Sequence, residues 1–450
     1  MKSSTKIEIT NAWLSQVVDK EIEPVFCDIT IENGVITEIH QKDFNKFIAA
    51  ERDFDKNKYD AGGRVITTPL VNFHDHIYSR LAKGLPSLGP LDNFHNVLKN
   101  LWWQLDKALD TDMIRASAKM AAIESIRNGV TYIFDHHASP FAIKNSLTTI
   151  SSILKQFGLS SALCYEISDR DGDNITQQAI DETVSFVNDN TDENVKAFAG
   201  LHASFTIKDE TLENISQLIN TYDLGIHIHL CEDNVDREMS IEQFNGAPIE
   251  RLKKYNLLNR KSILSHGVHL TDDEYLVISE KGSVIAYNPD SNMNNAVGLP
   301  KFEHVPLNIP IIIGTDGMHA NIAKSMKQLF LLFRHQKNDF GNTFKWFRKI
   351  YFDSLQFAQS YFPGYPKLAA GNKADLIIWD YIPPTPINSA NYWGHYIYGI
   401  IERPVKTVIQ NGNFLMKDYQ LTVYDEETAA REIYEQGNRL FNKIGELAGE

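Results

Sequence analysis

Residues 225–233 read Gly-Ile-His-Ile-His-Leu-Cys-Glu-Asp. Apolar residues and histidines alternate along this run, so His227 and His229 project from one face of an extended strand. In a closed barrel that face is the interior, with His229 the nearer of the two to the mouth and Glu232 just beyond the strand end.

Comparable signals lie on both sides of this strand. Short β-branched runs at 66–72, 130–136, 159–166, 195–202, 224–230, 262–266, 283–287 and 309–315 read as strands. Between most of them sit stretches with period-3.6 apolar spacing, at 110–127, 209–222 and 249–255, whereas 287–309 shows no helical pattern. Eight strands in roughly 250 residues match a (β/α)₈ TIM barrel. A doubly wound open sheet shares that periodicity, so the strand ends must decide. His74-Asp75-His76 closes the first strand, Ser265-His266 ends the sixth and Gly314-Thr315-Asp316-Gly317 ends the eighth. A bare H-x-H pair is a weak signal alone. Polar residues at the ends of four different strands converge only if the sheet closes, and together they point to a metal site at the C-terminal mouth.

The chain ends have a different texture. Short strands at 6–9, 26–31 and 35–39, with a turn at Glu32-Asn33-Gly34, precede Ala61-Gly62-Gly63, and strands return at 375–379, 405–409 and around Phe414-Leu415. Residues 426–447 form a polar amphipathic helix. The expected plan is a distorted TIM barrel at 67–366, flanked by a small composite β-sandwich from 1–66 and 367–424, with a C-terminal helix at 425–450.

Composition excludes several classes. The 450 residues are 43% hydrophobic and 23% charged, a globular balance, and Lys+Arg 44 against Asp+Glu 58 gives a net charge of −14. Such a chain repels phosphate backbones and anionic lipid, so neither nucleic acid nor membrane is an expected partner. Cys27, Cys164 and Cys231 form no C-x-x-C pair, which makes a reducing cytoplasm the default. Residues 1–14 contain no apolar core of signal-peptide length. No G-x-G-x-x-G, P-loop, G-x-S-x-G or H-E-x-x-H motif appears.

These residues resemble the amidohydrolase superfamily, which carries H-x-H on strand one, His on strands five and six and Asp on strand eight. Its cytosine deaminase and ATZ/TRZ-like chlorohydrolase branch adds Glu three residues after the strand-five His. The stretches 99–106 (KNLWWQLD), 135–140 (DHHASP), 169–172, 225–233 and 291–298 (SNMNNAVG), with Thr385-Pro386 and Gly394-His395, are similar to SsnA-type aminohydrolases over nearly the whole chain. The resemblance implies one divalent ion per chain, Zn²⁺ or Fe²⁺, on His74, His76, His229 and Asp316, with a position left for water. It implies that Asp316 accepts the proton of that water, that Glu232 carries a proton to a ring nitrogen of the substrate, and that His266 orients the water and steadies the oxyanion. Strand four ends Gly200-Leu201-His202-Ala203-Ser204 with no Lys or acid, so no bridging ligand for a second ion is expected.

The expected activity is hydrolytic deamination of a nitrogen heterocycle, with chloride displacement or cyclic amide hydrolysis on a similar ring, or a non-catalytic scaffold, as alternatives. Family habit implies a homodimer. His202, Arg170 and Asn292 are candidate substrate contacts, Arg170 as an anion clamp and Asn292 as a reader of a substrate amide. His136, His137 and His227 are candidate partners that fix ligand tautomers. Trp102-Trp103 reads as packing on a helical stretch. Two departures from the family pattern stand out. Leu70 follows Pro69 where Gly is common, and 327–366 lacks the usual Asn-Gly or Asn-Ala helix start and reads as an aromatic-rich stretch.

Overall fold

In the computed structural model, which describes residues 6–49 and 58–448, eight parallel strands follow one another in sequence order round a barrel. They are Leu70–Asp75, Val130–His137, Ser160–Ile167, Ala199–Ala203, Ile226–Leu230, Ile263–His266, Val284–Tyr287 and Ile311–Ile313. The outer residues 1–5, 50–57 and 449–450, which include parts of the expected first and last segments, lie outside the described residues. The first and last strands meet through backbone: Thr315 N and Asp316 N donate to the His74 carbonyl at 3.0 and 2.9 Å. Gly314 makes that approach possible, because a Cβ there would lie 2.5 Å from His74 Cβ and 2.4 Å from Asn288 Oδ1. The distorted TIM barrel expected from the sequence is present, nearly closed.

One expected strand divides in two. The run 66–72 contributes Val65–Thr67 to the sheet built by the chain ends, where it pairs with Trp13-Leu14 and Ile377-Ile378, and only Leu70–Asp75 belongs to the barrel. Pro69 between them has no N–H to donate, so the ladder stops there and the chain changes sheets. The gap 287–309 holds the short helix Pro289–Asn294 and a 3₁₀ turn at Phe302–His304.

The chain ends interleave in a single nine-stranded sheet rather than in two separately bonded layers. The sheet curls, so that Gly34, in the turn before its edge strand Val35–Gln41, packs on Asn411 and Gly412, and Val35 bridges to Lys373. The curled sheet encloses its own core of Ile9, Leu14, Ile29, Ile31, Leu376 and Ile409. The C-terminal helix Glu426–Ala448 lies on helix Thr111–Arg127, with Lys119 paired to Glu432.

Segment 327–366 fills the bottom of the barrel. Helices Ile322–His335 and Phe340–Tyr361 start at Asn321 and Asp339, whose side chains accept from Lys324 N and Asn342 N, so the caps replace the start motif usual in the family. Phe357, Ala358, Phe362 and Tyr365 pack into a cluster with Val71, Phe73, Tyr132, Phe134 and Phe198. Tyr365 donates to the Pro69 carbonyl at 2.6 Å. Burying each such aromatic ring contributes about 1.5–3 kcal/mol. The aromatic segment is a plug beneath the barrel and supplies no wall of the cleft described below.

Candidate metal centre and cleft

Inward-facing side chains change character along the strands. On strand two Tyr132 and Phe134 give way to His136, on strand three Ala162 and Cys164 give way to Glu166, and strand eight ends at Asp316. Near the C-terminal mouth, one ligand atom each from His74, His76, His229 and Asp316 lie within 4.8 Å of one another. His76 Nδ1 donates to the His136 carbonyl at 2.7 Å and His229 Nδ1 to the His202 carbonyl at 2.8 Å. Carbonyls only accept, so both rings carry hydrogen on Nδ1 and aim Nε2 at the centre. Those two Nε2 atoms are 3.0 Å apart, a contact that only a proton or a cation between them relieves. His74 Nε2 is buried without a hydrogen-bond partner among the described residues, 3.4 Å from Asp316 Oδ1. His74 Nδ1 rests on His227 Nε2 at 2.9 Å. Three imidazole nitrogens and one carboxylate oxygen in this arrangement fit a divalent metal ion. The Asp of the His-Asp-His run turns away and is pinned by the buried Arg80.

The remaining polar groups at the mouth surround Asp316. Its Oδ1 lies 3.0 Å from His76 Nε2, and its Oδ2 accepts from Ser291 Oγ. Glu232 Oε2 is 3.4 Å from His266 Nε2, while Asn295 Nδ2 donates to Glu232 Oε1 at 3.1 Å. His266 Nδ1 meets Asn292 Oδ1 at 2.8 Å. Burial lowers His74 to about 3. Burial also opposes a charged His76, but the hydrogen bond and charge of Asp316 outweigh it and raise that ring to about 9. Burial, partly offset by His266 and reinforced by Asp316, raises Glu232 to about 7. Backbone strain collects at the same place: Cys231, His266 and Asp316 have φ of 48°, 74° and 54°, a left-handed conformation costly for non-glycine residues.

A cleft opens over this centre, lined by His76, His229, Glu232 and Asp316. His202 lines it, its Nδ1 held by Thr206 Oγ1 at 2.9 Å. Arg170 does not line it. Its guanidinium is taken up by Glu166, Asp106 and Asp171. Asn292 also stays behind the surface, fixing His266, and the amide that reaches the cleft is Asn295. Trp102 and Trp103, which periodicity assigns to packing, are cleft walls. A π-helical turn at Leu98–Trp102 explains the miss, because its wider pitch shifts which residues share a face. His136 supplies the carbonyl that holds His76, His137 bonds to Ser139, and His319 faces Asp290. Asp106, Glu166, Ser291 and Asn295 were not singled out from the sequence. The inward parity of strand three was the available signal for Glu166.

The barrel and its His/Asp centre define a metal-dependent hydrolase of the TIM-barrel class. The Amidohydrolase family profile matches residues 65–415, and the chain belongs to that family, hydrolases of carbon–nitrogen bonds. Among curated relatives, the 5'-deoxyadenosine deaminase of Methanosphaera stadtmanae is 28% identical over 83% of this chain and 88% of that protein. The 5-methylthioadenosine/S-adenosylhomocysteine deaminase of Desulforudis audaxviator is 25% identical over 86% and 89%. Solved structures with the same fold include an adenosine deaminase from Xanthomonas campestris with bound zinc, with TM-score 0.78, 18% identity and coverage of 96% and 99%. Atrazine chlorohydrolase TrzN from Arthrobacter aurescens TC1 complexed with zinc has TM-score 0.77, 18% identity and coverage of 96% and 100%. Among the described residues no helix is long and apolar enough to cross a membrane.

Proposed function

We propose that the protein is an aminohydrolase that replaces an amino group on a nitrogen heterocycle with oxygen and releases ammonia. The observation that carries this reading is the adjacency of Glu232, His266 and Asp316, whose ligand-type atoms lie within 4.8 Å of one another beside the His74, His76 and His229 set. The deaminase names of the relatives support it. Zinc is the ion proposed, supported by the three-imidazole, one-carboxylate donor set and by zinc in two structures of the same fold. A cytoplasmic homodimer belongs to the same proposal, with three unpaired buried cysteines in keeping with a reducing compartment.

An ion held by His74, His76, His229 and Asp316 would supply water acidified to a pKa near about 7. The protein side of the reaction follows from the hydrogen bonds. Asp316 Oδ1 stands where it can take the proton of the attacking water, while Ser291 holds the other oxygen. Glu232, steadied by Asn295, gives its proton to the ring nitrogen next to the reacting carbon, the proton taken by Asp316 passes to the departing amine, and the second proton of the water restores Glu232. With Nδ1–H given to Asn292, His266 offers its Nε2 lone pair to the water, and once protonated it donates to the oxyanion. Trp102 and Trp103 flank a planar ring and exclude solvent. An amine leaves as ammonia only after protonation, whereas chloride leaves unaided, so a complete proton-transfer set favours deamination over dehalogenation. An enzyme-coupled ammonia assay across purines, pyrimidines, pterins and triazines is the test. Ammonia release from at least one amino-substituted ring is expected; chloride release or amide-ring opening without ammonia overturns the reading.

A further inference from the structure

The mechanism leaves one part of the cleft unused. Glu166, at the inward end of strand three, and Asp106, in the helix that follows Trp103, are 6% and 1% exposed, and both line the cleft. Arg170, outside the lining, binds one oxygen of each, through Nη1 to Glu166 Oε1 at 2.7 Å and through Nη2 to Asp106 Oδ2. The second oxygens are not spoken for. Asp106 Oδ1 is buried without a hydrogen-bond partner among the described residues. Glu166 Oε2 faces His136 Nδ1 at 3.4 Å, well beyond the length of a charge-assisted bond. His136 Nε2 lies 3.1 Å from both the Leu201 and His227 carbonyls and must carry hydrogen to bond them, and its buried Nδ1 is likewise without a hydrogen-bond partner. Around Arg170 the acids Asp106, Glu166 and Asp171 face the cations Arg170 and Lys107, and burial raises the Asp106 carboxyl to about 7, so the lobe carries little net charge.

We propose that Glu166 and Asp106 determine specificity by accepting hydrogen bonds from N–H groups of the heterocycle. The substrate class is then a base with a free ring N–H or a second amino group, not a nucleoside whose ring edges offer only acceptor nitrogens. The inference rests on the aminohydrolase reading for the orientation of the ring. A Glu166 oxygen lies within 4.8 Å of a ring nitrogen of His229, so a heterocycle reacting beside that histidine has an edge within reach of the lobe. A donor there gives Asp106 Oδ1 the partner it lacks and Glu166 Oε2 a closer one than His136, whereas an acceptor nitrogen does neither. Sugar hydroxyls are the other source of donors, but the closeness of Glu166 to the metal ligands favours the ring itself.

Calorimetric titration of the metal-loaded full chain carrying Glu232→Gln, which suppresses turnover, is the direct test. The donor-edged probes are cytosine, 2,6-diaminopurine and melamine, and the acceptor-edged probes are 1-methylcytosine, adenosine and 5'-deoxyadenosine. The tightest ligand should come from the first group. Adding Glu166→Gln or Asp106→Asn should weaken it by about 10- to 100-fold, the worth of a hydrogen bond to a charged group. Having two variants guards against one that fails to fold, with melting temperature as the control. Tightest binding by an acceptor-edged probe, no binding by any donor-edged one, or unchanged affinity in both variants overturns the inference. Ammonia release from adenosine without donor preference would sink this inference alone. Donor-selective binding with no ammonia from any ring would instead sink the aminohydrolase reading.

Discussion

The lower and upper halves of the barrel interior are built by the same strands and have opposite economies. Below, Phe73, Phe134 and Phe357 lie with ring centroids 5.0 to 6.0 Å apart and are sealed by the aromatic helix Phe340–Tyr361. Above, at the C-terminal ends of the barrel strands, histidines and carboxylates are buried, some with stranded lone pairs and some on left-handed backbone. The lower half gains from burial, and its tyrosine hydroxyls are satisfied, Tyr365 by the Pro69 carbonyl and Tyr132 by Asp375. The upper half is unfavourable by itself and persists because the lower half and the helical shell hold it in place. Stability and chemistry are thus separated along the strand direction, not between domains.

The most severe test of that separation is Asp316→Asn. It should strip the ion and lower turnover by at least ~10⁴, since in the proposed mechanism one carboxylate both binds and takes a proton. Elemental analysis should find one ion per wild-type chain and far less in the variant; two tightly held ions would break the assignment of a single centre. Glu232→Gln should cost ~10²–10⁴ in turnover with metal content retained, because the proposed role of its carboxylate is to carry a proton without holding the ion. Loss of the metal in this variant would move Glu232 into the ligand set. Phe134→Ala, in the lower half, should cost about 3–5 kcal/mol in a denaturant melt while turnover per folded molecule barely changes. A turnover defect like that of Glu232→Gln would show that the halves are not separable. Ser291→Ala sharpens the comparison at the small end: losing one hydrogen bond to Asp316 should lower turnover by about tenfold or less, with KM unchanged.

Much of the upper half was legible because strand alternation and strand-end position are local. His74-Asp75-His76 and the run at 225–233 announced themselves, and the barrel followed from what had to converge. What escaped depends on partners far away in sequence. Pro69 divides an apolar run between two sheets, a choice made by Trp13 and Ile377 as much as by the run itself. Lys6–Val18 continues past polar Thr10 and Asn11 because a register shift absorbs them. Arg170 looked like a clamp for substrate until Asp106, 64 residues earlier, occupied it. Asn292 and Asn295 cannot be told apart in a turn-rich stretch, and only the fold decides which one reaches the cleft. The aromatic segment 344–362 signalled burial but not where, since a plug and a wall have the same composition.

The seam at Gly314 ties the fate of the ring to that of the ion. Asn72 and Thr315, bonded across it at 2.7 Å, are 243 residues apart. Bringing ends so distant together costs chain entropy on the order of 5 kcal/mol. His74 and Asp316 stand on opposite sides of the join, so an ion that binds both is a clasp drawn across the last gap to close. Such an ion would add its binding free energy to the closure of the seam, and opening the seam would release it.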